Sequence, residues 1–548
     1  MSEDWPDREA ARPHWSPPRG QAAPGRATSH RQAPRRQSAP PGRPSARGPR
    51  PRRSWRARWR GLSTLAKLGY ISAIVLTTGA VLISLTGYAL YLKLNHNLTV
   101  TNVGGLTHRS EFGVQNILIL GSQTRNGQGP GFGYDPNTNL SDNLLLVHLN
   151  ATHTHAIVVS IPRDTMVYEP ACKSRFGNYT VAAQPQAIID GAMNLGGPTC
   201  AVATVEHLTQ IPMDHFIEFD FNSFRTMVDT LGGVEVCLPQ AVNDPYSNLH
   251  LSAGRHLISG NQALAFVRTR HGVGDGTDLG RIELQQEFFS SLIQKVESDN
   301  TLENPVELFD IANTATKSVT VDPGLGSISR LLSLASTLHN LHTKDVTFLT
   351  MPTIEDPAND NRLLPEEPED DMIWQLLQAD TPWPGHLPTT PASGVDVTVL
   401  NGTGITGLAA RTAASLRSLG FDVTRVGNAP DTAATTVTYP GPAQAGGAYS
   451  LMGALQQAPD NVQDGASGPV TLTLGTDFTG VVPPQPTTVA KHHKHPAAPA
   501  STTPDAGQQP DGTQLQIPGQ AATTVESRNA AEGLCQGVPD ANPDTGSP

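Results

Sequence analysis

Three short apolar runs decide the fold of this chain: Asn116–Gly121 (NILILG), Asp142–Leu149 (DNLLLVHL) and Ala156–Ile161 (AIVVSI). Each is too short for a core helix and rich in Val, Ile and Leu, which predicts strands. The polar turn NATHT between the second and third predicts a hairpin. Downstream, helix patterns occupy about 185–195 and 199–209, then come the strand HFIEFD (215–220), the helix NSFRTMVDTLG ending on Gly232, and the strand VEVCL (234–238). Ser259 and Gln262 have capping-box spacing and open the helix carrying ALAFVRTR. A long amphipathic helix covers about 279–298. Strands mixed with helices over residues 113–352 predict one α/β domain with a mixed sheet.

Outward from this domain, the composition changes. Residues 353–393 are rich in proline and acid (PEEPEDD, DTPWPGHLPTTP) and read as a linker. Residues 394–482 recover order as a small α/β domain opening β–α–β, and residues 483–548, rich in Pro, Ala, Thr and Gln, read as a disordered tail. On the other side, Leu68–Leu92 is 25 residues without a charge, bounded by Lys67 and Lys93. That exceeds the roughly 20 residues needed to span a bilayer. It lies too far from the N-terminus and is too long for a cleavable signal. Tyr70, Tyr88 and Tyr91 stand near its ends, as interfacial aromatics do. Residues 93–112 read as a connector.

Residues 1–67 carry sixteen Arg and Lys against four acids, so a net charge of −11 conceals a basic arm on a strongly acidic remainder. The arm is Arg, Pro, Ser and Gly without apolar periodicity, which predicts a disordered segment. Its basic cluster beside the apolar span places it in the cytoplasm and the large domain outside, a single-pass cell-membrane protein. With no helix-turn-helix in view, the arm predicts no specific nucleic-acid partner.

Four cysteines are present, at 172, 200, 237 and 535, without zinc-like spacing. In an exported domain a disulfide is expected. Cys172 with Cys200 is the pairing favoured here, although four cysteines allow three arrangements. Cys237, inside a strand, reads as a small buried hydrophobe. Gly402–Gly407 (GTGITG) matches a dinucleotide fingerprint between strand and helix. No acidic residue ends the following strand FDVTRV, and the domain is too small for a doubly wound fold, so the glycines read as a tight turn.

Charged residues that interrupt or end the apolar elements carry the chemistry: Arg125, Asp142, Arg163 with Asp164, Arg268 with Arg270, and Asp278 with Arg281. Arginine is a planar, permanently charged fork suited to phosphate oxygens. A carboxylate such as Asp142 suits Mg²⁺, which takes one or two carboxylates plus substrate phosphates. HGVGDGTD (271–278) feeds a helix N-terminus, a natural anion site. Arg281 and Gln285 share a face of that helix. Arg268 and Arg270, two apart, serve one ligand only if their helix ends between them.

At these residues the chain resembles the LytR–CpsA–Psr family, which transfers glycopolymers from a polyprenyl-pyrophosphate carrier to the bacterial wall. The resemblance rests on NILILGSQTR (116–125), SDNLLLV (141–147), VVSIPRDT (158–165), MDHFIEFDFNSF (213–224), LGGVEVCLP (231–239), SGNQALAFVRTRHG (259–272) and DLGRIELQQ (278–286). Residues 394–482 are similar to a C-terminal domain often appended in the family. With the basic arm, this suggests the actinobacterial type, with arabinogalactan as glycopolymer and peptidoglycan as acceptor. The resemblance implies that Asp142, with Asp278 assisting, binds Mg²⁺ or Mn²⁺. It further implies that Arg125, Arg163, Arg268, Arg270, Arg281 and Gln285 grip the pyrophosphate, with Arg163, Arg281 and Asp164 at the reacting centre. The chain departs from the family pattern at Gln123, where many members carry Asp, at Leu284, where Arg is usual, and at Ile188–Gly191. A pyrophosphatase and a non-catalytic wall-binding or regulatory protein are the alternative readings.

Overall fold

The computed structural model of the protein describes residues 59, 63–103, 106, 113–123, 140–271, 278–298, 305–339, 341–459, 461–464, 467–482, 525 and 527–532. Helix α1, Thr64–Asn97, is the one helix among them long and apolar enough to cross a membrane. It outruns the expected span at both ends, since each residue added to a helix brings one more backbone hydrogen bond. The expected connector therefore opens as helix and continues into the two-residue strand β1, Thr99–Val100. The basic arm lies outside the described residues except for Trp59 and the start of α1.

The first domain is built on a mixed sheet. Its strands are β1, β2 (Gln115–Ser122), β3 (Ser141–Leu149), β4 (Ala156–Ile161), β5 (His215–Asp220), β6 (Val319–Val321), β7 (Val346–Thr350) and a late strand, Ser527–Asn529. Their order is β1-β6-β5-β2-β3-β4-β7 and then Ser527–Asn529. β2 runs antiparallel to β3 and β3 to β4, as the hairpin predicts, while β2 pairs parallel with β5 and β4 with β7. Both faces of the sheet are covered. Leu118, Leu120, Leu144, Leu146 and Val159 point to one core with helix α2 (Pro198–Thr209), while Ile117, Leu145, Leu149, Val158 and Phe348 join the opposite core. Phe289 and Ile293, on the long helix Asp278–Ser298, pack against that second core. A strand buried on both sides needs apolar residues at every position, which is why the three runs read as continuous rather than alternating.

Between β5 and β6 lie α3 (Phe221–Thr230), α4 (Gly260–Arg268) and α5, that long helix. With the antiparallel pair Val234–Leu238 and Gly254–Ile258 they close a separate small core around Val236, Phe266 and Phe288. Asp220 caps α3 by accepting from the Ser223 N–H at 2.8 Å. The Ser259 N–H donates to Gln262 Oε1 at 3.5 Å at the head of α4.

Three expectations about secondary structure are corrected. Residues 185–195 are not one helix: Gln184–Ile188 is a strand paired with Met166–Glu169, and only Ala192–Gly196 is α-helical. Residues 353–393 are not a bare linker. They hold the hairpin β8 (Thr353–Asp356) and β9 (Asn359–Pro365) and helix α6 (Glu369–Gln378). Glu369, Asp370 and Asp371 occupy the first turn of α6, where carboxylates complement the helix dipole. Its Met372, Ile373, Trp374, Leu376 and Leu377 are buried in the main core. The third correction concerns the tail: Ser527–Asn529 completes the first domain's sheet, pairing with β7.

The second domain has the strands β10 (Asp396–Asn401), β11 (Asp422–Asn428), β12 (Thr436–Tyr439), β13 (Asn461–Asp464) and β14 (Val470–Leu474), ordered β11-β10-β14-β12-β13, with helix α7, Leu408–Ser418. The late strand of the first sheet is accordingly β15. Cys172 and Cys200 are disulfide-bonded, with Cα atoms 5.2 Å apart. Cys237 is disulfide-bonded as well, which corrects its reading as a plain hydrophobe. Cys535 lies outside the described residues.

Candidate active site

At one end of the first sheet several strands stop together. Ser122 is in register with Ser141 on one side and Asp220 on the other, and Ile161 with Leu144. The ladder shifts between Gly121 and Ser122. A Cβ at Gly121 would stand 3.1 Å from that of Asn143, so glycine permits the close pairing there. Asp142 is the second residue of β3, at this edge, and its Oδ1 accepts hydrogen bonds from Gln123 Nε2 and Arg163 Nη1. Arg163 leaves β4 in a turn closed by the Thr165 N–H and Oγ1, both donating to the Pro162 carbonyl.

Two helices bring the other arginines. Arg281, in the first turn of α5, donates from Nη2 to the Asp142 carbonyl at 3.4 Å. Gln285, one turn on, donates to the Val267 carbonyl at 3.0 Å. Both residues are buried, at 4% and 5% exposure, so Arg281 is not a solvated surface charge. Helix α4 ends at Arg268, and Thr269 is already extended. That break lets Arg268 and Arg270 reach one cavity despite their spacing. The Arg268 guanidinium lies 4.5 Å from the centre of the Phe221 ring. Arg270 is held through its backbone, whose N–H donates to Asp244 Oδ2 at 3.3 Å. Burial alone would raise the Asp244 carboxyl. Hydrogen bonds from the Tyr246, Arg270 and Ser247 N–H groups and the Ser247 hydroxyl outweigh it and hold the group below its ordinary value, so it stays a carboxylate.

These residues line a cavity of about 270 Å³. Its polar part is Gln123, Asp142, Asn143, Arg163, Asp220, Arg268, Arg270, Arg281 and Gln285. Its apolar part is Phe219, Phe221, Phe224, Leu264, Val267 and Phe289. Four arginines against two carboxylates give a positive lining, and an apolar wall stands directly beside it. Such a surface fits a ligand whose anionic group is joined to hydrocarbon.

Of the expected site residues, Asp142, Arg163, Arg268, Arg270, Arg281 and Gln285 are brought together. Asp164 lies beside two of these arginines, with Oδ2 3.8 Å from Arg163 Nε and 3.7 Å from Arg270 Nη2. Arg125 and most of the glycine-rich loop lie outside the described residues, and Asp278 begins α5 with its side chain outside them. Sequence reasoning missed Asp220, Asn143 and the phenylalanines, although Asp220 stands at a strand-to-helix junction beside three of them. It also missed a buried carboxyl pair behind Arg163. Burial raises Glu169 to about 7, with Asp190 adding repulsion. Burial also raises Asp190 to about 6, opposed by Arg163 and reinforced by Asp164 and Asp142.

Among the described residues no group of three or more His, Cys, Asp or Glu side chains is gathered as a metal cage. Asp142 by itself fits the single-carboxylate style of Mg²⁺ site, in which phosphate oxygens and water complete the shell. Its Oδ1 is engaged by Gln123 and Arg163.

Comparison with known proteins gives the same frame. Residues 91–379 match the LytR_cpsA_psr family, and residues 394–478 match the domain described as LytR cell envelope-related transcriptional attenuator. The chain is 31% identical to cell wall biosynthesis protein LcpA of Corynebacterium glutamicum over 359 residues, covering 58% of this chain and 68% of that one. It is 29% identical to the polyisoprenyl-teichoic acid–peptidoglycan teichoic acid transferase TagU of Oceanobacillus iheyensis, over 42% of this chain and 66% of that one. Among solved structures, the LytR-Csp2A-Psr enzyme from Actinomyces oris matches at 24% identity and a TM-score of 0.39, covering 52% of this chain and 97% of that one. A family match over more than half the chain, carried by the segments that build the cavity, makes this protein a member of the LytR_cpsA_psr family.

Proposed function

We propose that the protein is a phosphotransferase that moves a glycopolymer from a polyprenyl-pyrophosphate carrier to a peptidoglycan hydroxyl and releases polyprenyl phosphate. The observation that carries the reading is one cavity in which Arg163, Arg268, Arg270 and Arg281 face an apolar wall of Phe219, Phe221, Phe224 and Phe289. A pyrophosphate on a prenyl chain needs both surfaces. Each methylene buried against the wall adds about 0.8 kcal/mol to carrier affinity. The names of LcpA and TagU, which concern wall biosynthesis and teichoic acid transfer to peptidoglycan, support the same class of reaction.

In the reaction, an acceptor hydroxyl attacks the phosphorus bonded to the glycan, and the bond to the bridging oxygen breaks. Transfer of this kind depends on positioning and charge neutralisation more than on covalent chemistry by the protein. Arg163 and Arg281, tied to Asp142, present guanidinium groups to oxygens that gain charge as the carrier leaves. Arg268, at the end of α4, and Arg270, just beyond it, also hold the ligand. Asp142 would hold Mg²⁺ or Mn²⁺, which would supply charge neutralisation at the pyrophosphate. Asp164 keeps two arginines oriented, and a carboxylate, Asp142 or Asp164, receives the hydroxyl proton.

The basic arm supports an inside N-terminus with the enzyme domain outside, and with the C-terminal domain it supports arabinogalactan as the glycopolymer. The deciding experiment supplies carrier with labelled glycan to membranes holding the protein. Label on peptidoglycan supports transfer, whereas label released in free solution identifies a pyrophosphatase. A reporter fused after residue 60 should be active only in the cytoplasm, and one after residue 110 only outside.

A further inference from the structure

Beside the cavity stands a small antiparallel hairpin, Val242–Asp244 with Leu249–Leu251, whose tip is Pro245–Asn248. Asp244, 1% exposed, ties that tip to the segment that follows α4. Its Oδ1 accepts from the Tyr246 N–H at 2.9 Å and the Ser247 N–H at 3.4 Å. Its Oδ2 accepts from the Arg270 N–H at 3.3 Å and the His271 N–H at 3.4 Å. The Ser247 and Thr269 hydroxyls, 2.6 Å apart, add a second tie, and Thr269 is fully buried. One carboxylate thus fixes the backbone of Arg270, which lines the cavity, together with that of Tyr246 and His271.

The rings of Tyr246 and His271 stand with centres 4.5 Å apart and planes inclined by 32°. Yet Tyr246 is 83% exposed and the His271 side chain 58% exposed. A ring so exposed adds little to the fold, because the hydrophobic gain scales with the area removed from water. Fixed and open, the pair is a surface for a flat ligand that is apolar on one face and polar at its edge. A sugar ring has that form: its C–H face lies against an aromatic face, and its hydroxyls meet the phenol and imidazole edges. Successive Cα atoms lie about 3.8 Å apart, so His271 stands next to an arginine assigned to the pyrophosphate. The prenyl chain and pyrophosphate belong inside the cavity. A wall glycan lies outside it, with sugars running on in both directions, and an open ring pair admits such a strand.

We propose that Tyr246 and His271 form the subsite for a sugar ring of the acceptor strand, with Asp244 as the positioning residue that sets both rings beside Arg270. This role rests on the transfer reaction proposed above and assigns where the attacking hydroxyl is held.

The test gives membranes holding the full chain a geranylgeranyl-pyrophosphoryl disaccharide as donor and a soluble peptidoglycan oligosaccharide as acceptor. Tyr246→Ala should raise KM for the oligosaccharide about tenfold, with KM for the donor changed less than about twofold. Tyr246→Phe, which keeps the ring, should recover most of that loss. Asp244→Asn should raise both KM values, because an amide cannot accept on both sides, whereas a merely structural carboxylate would change only the folded fraction. If Asp244→Asn does not fold, the two Tyr246 variants carry the comparison. Unchanged acceptor KM in Tyr246→Ala would overturn the subsite. A rise in donor KM alone would overturn it equally, giving the ring to the carrier's own sugar. If the unaltered chain transfers nothing, the proposed function fails, and saturation-transfer NMR with the oligosaccharide alone decides the subsite. Binding lost in Tyr246→Ala upholds it there; equal binding in both chains, or none in either, overturns it.

Discussion

Two places in this molecule advertise an anion site, and only one is built as one. In the first domain, strand ends and two helices deliver four arginines to an open cavity beside apolar rings. In the second, GTGITG joins β10 to α7 with the spacing of a dinucleotide loop. There the space around the first glycine is already used. A Cβ at Gly402 would come within 2.7 Å of Thr432 Cγ2 and 2.9 Å of the Pro430 carbonyl oxygen. Asn401 Oδ1 accepts from the Thr403 N–H and hydroxyl, and Asn401 Nδ2 donates to the Ile405 carbonyl. Gly404 and Gly407 have φ of +70° and +74°, the left-handed turn that glycine adopts without strain. A glycine pattern records a backbone shape; a binding site also requires room and charge.

The sharpest test of this contrast is Arg163→Ala and Arg281→Ala. Loss of a preorganised donor to an oxyanion costs roughly 3–4 kcal/mol in the transition state, or about 10²–10³ in transfer rate. Lysine should restore only part, because it keeps the charge and loses the fork. Full transfer by folded alanine variants would remove the cavity from the chemistry. Asp142→Asn comes next, with transfer reduced by about 10² and little change in melting temperature. An equal loss of Mg²⁺-dependent turnover in Gln123→Ala would move the metal away from Asp142.

The matching change in the second domain is Gly402→Ala. It should cost about 1–3 kcal/mol of stability through overpacking, read by denaturant unfolding, and leave transfer per folded molecule unchanged. Tight binding of a dinucleotide by the unaltered chain would reverse the contrast. The smallest effect concerns pH. Glu169 and Asp190 bind protons more tightly folded than unfolded, so their contribution to stability is fullest below about pH 4 and is lost as pH rises through about 6 and 7. Glu169→Gln should flatten that fall between pH 5 and 8; an unchanged slope in thermal melts would exclude this pair as its source.

Much of the first domain was legible because its signals are local. β2, β3 and β4 are strand-length apolar runs. The residues 353–393 were misread for a related reason: prolines and acids dominate their composition, yet MIWQLL within them is a buried helical face. Composition averages over the feature that packing selects.

The sequence by itself determined the apolar helix, the strands, and the presence of arginines and a carboxylate at their ends, since each depends on residue type and on periods of two to four residues. Tertiary structure decided the rest. It ended α4 at Arg268 so that Arg270 could share its cavity, and it set Asp164 within ion-pair distance of both Arg163 and Arg270. It also returned Ser527–Asn529 to a sheet whose neighbouring strand lies about 180 residues earlier. Contacts at such separation follow from how whole layers bury one another, and no local pattern encodes them.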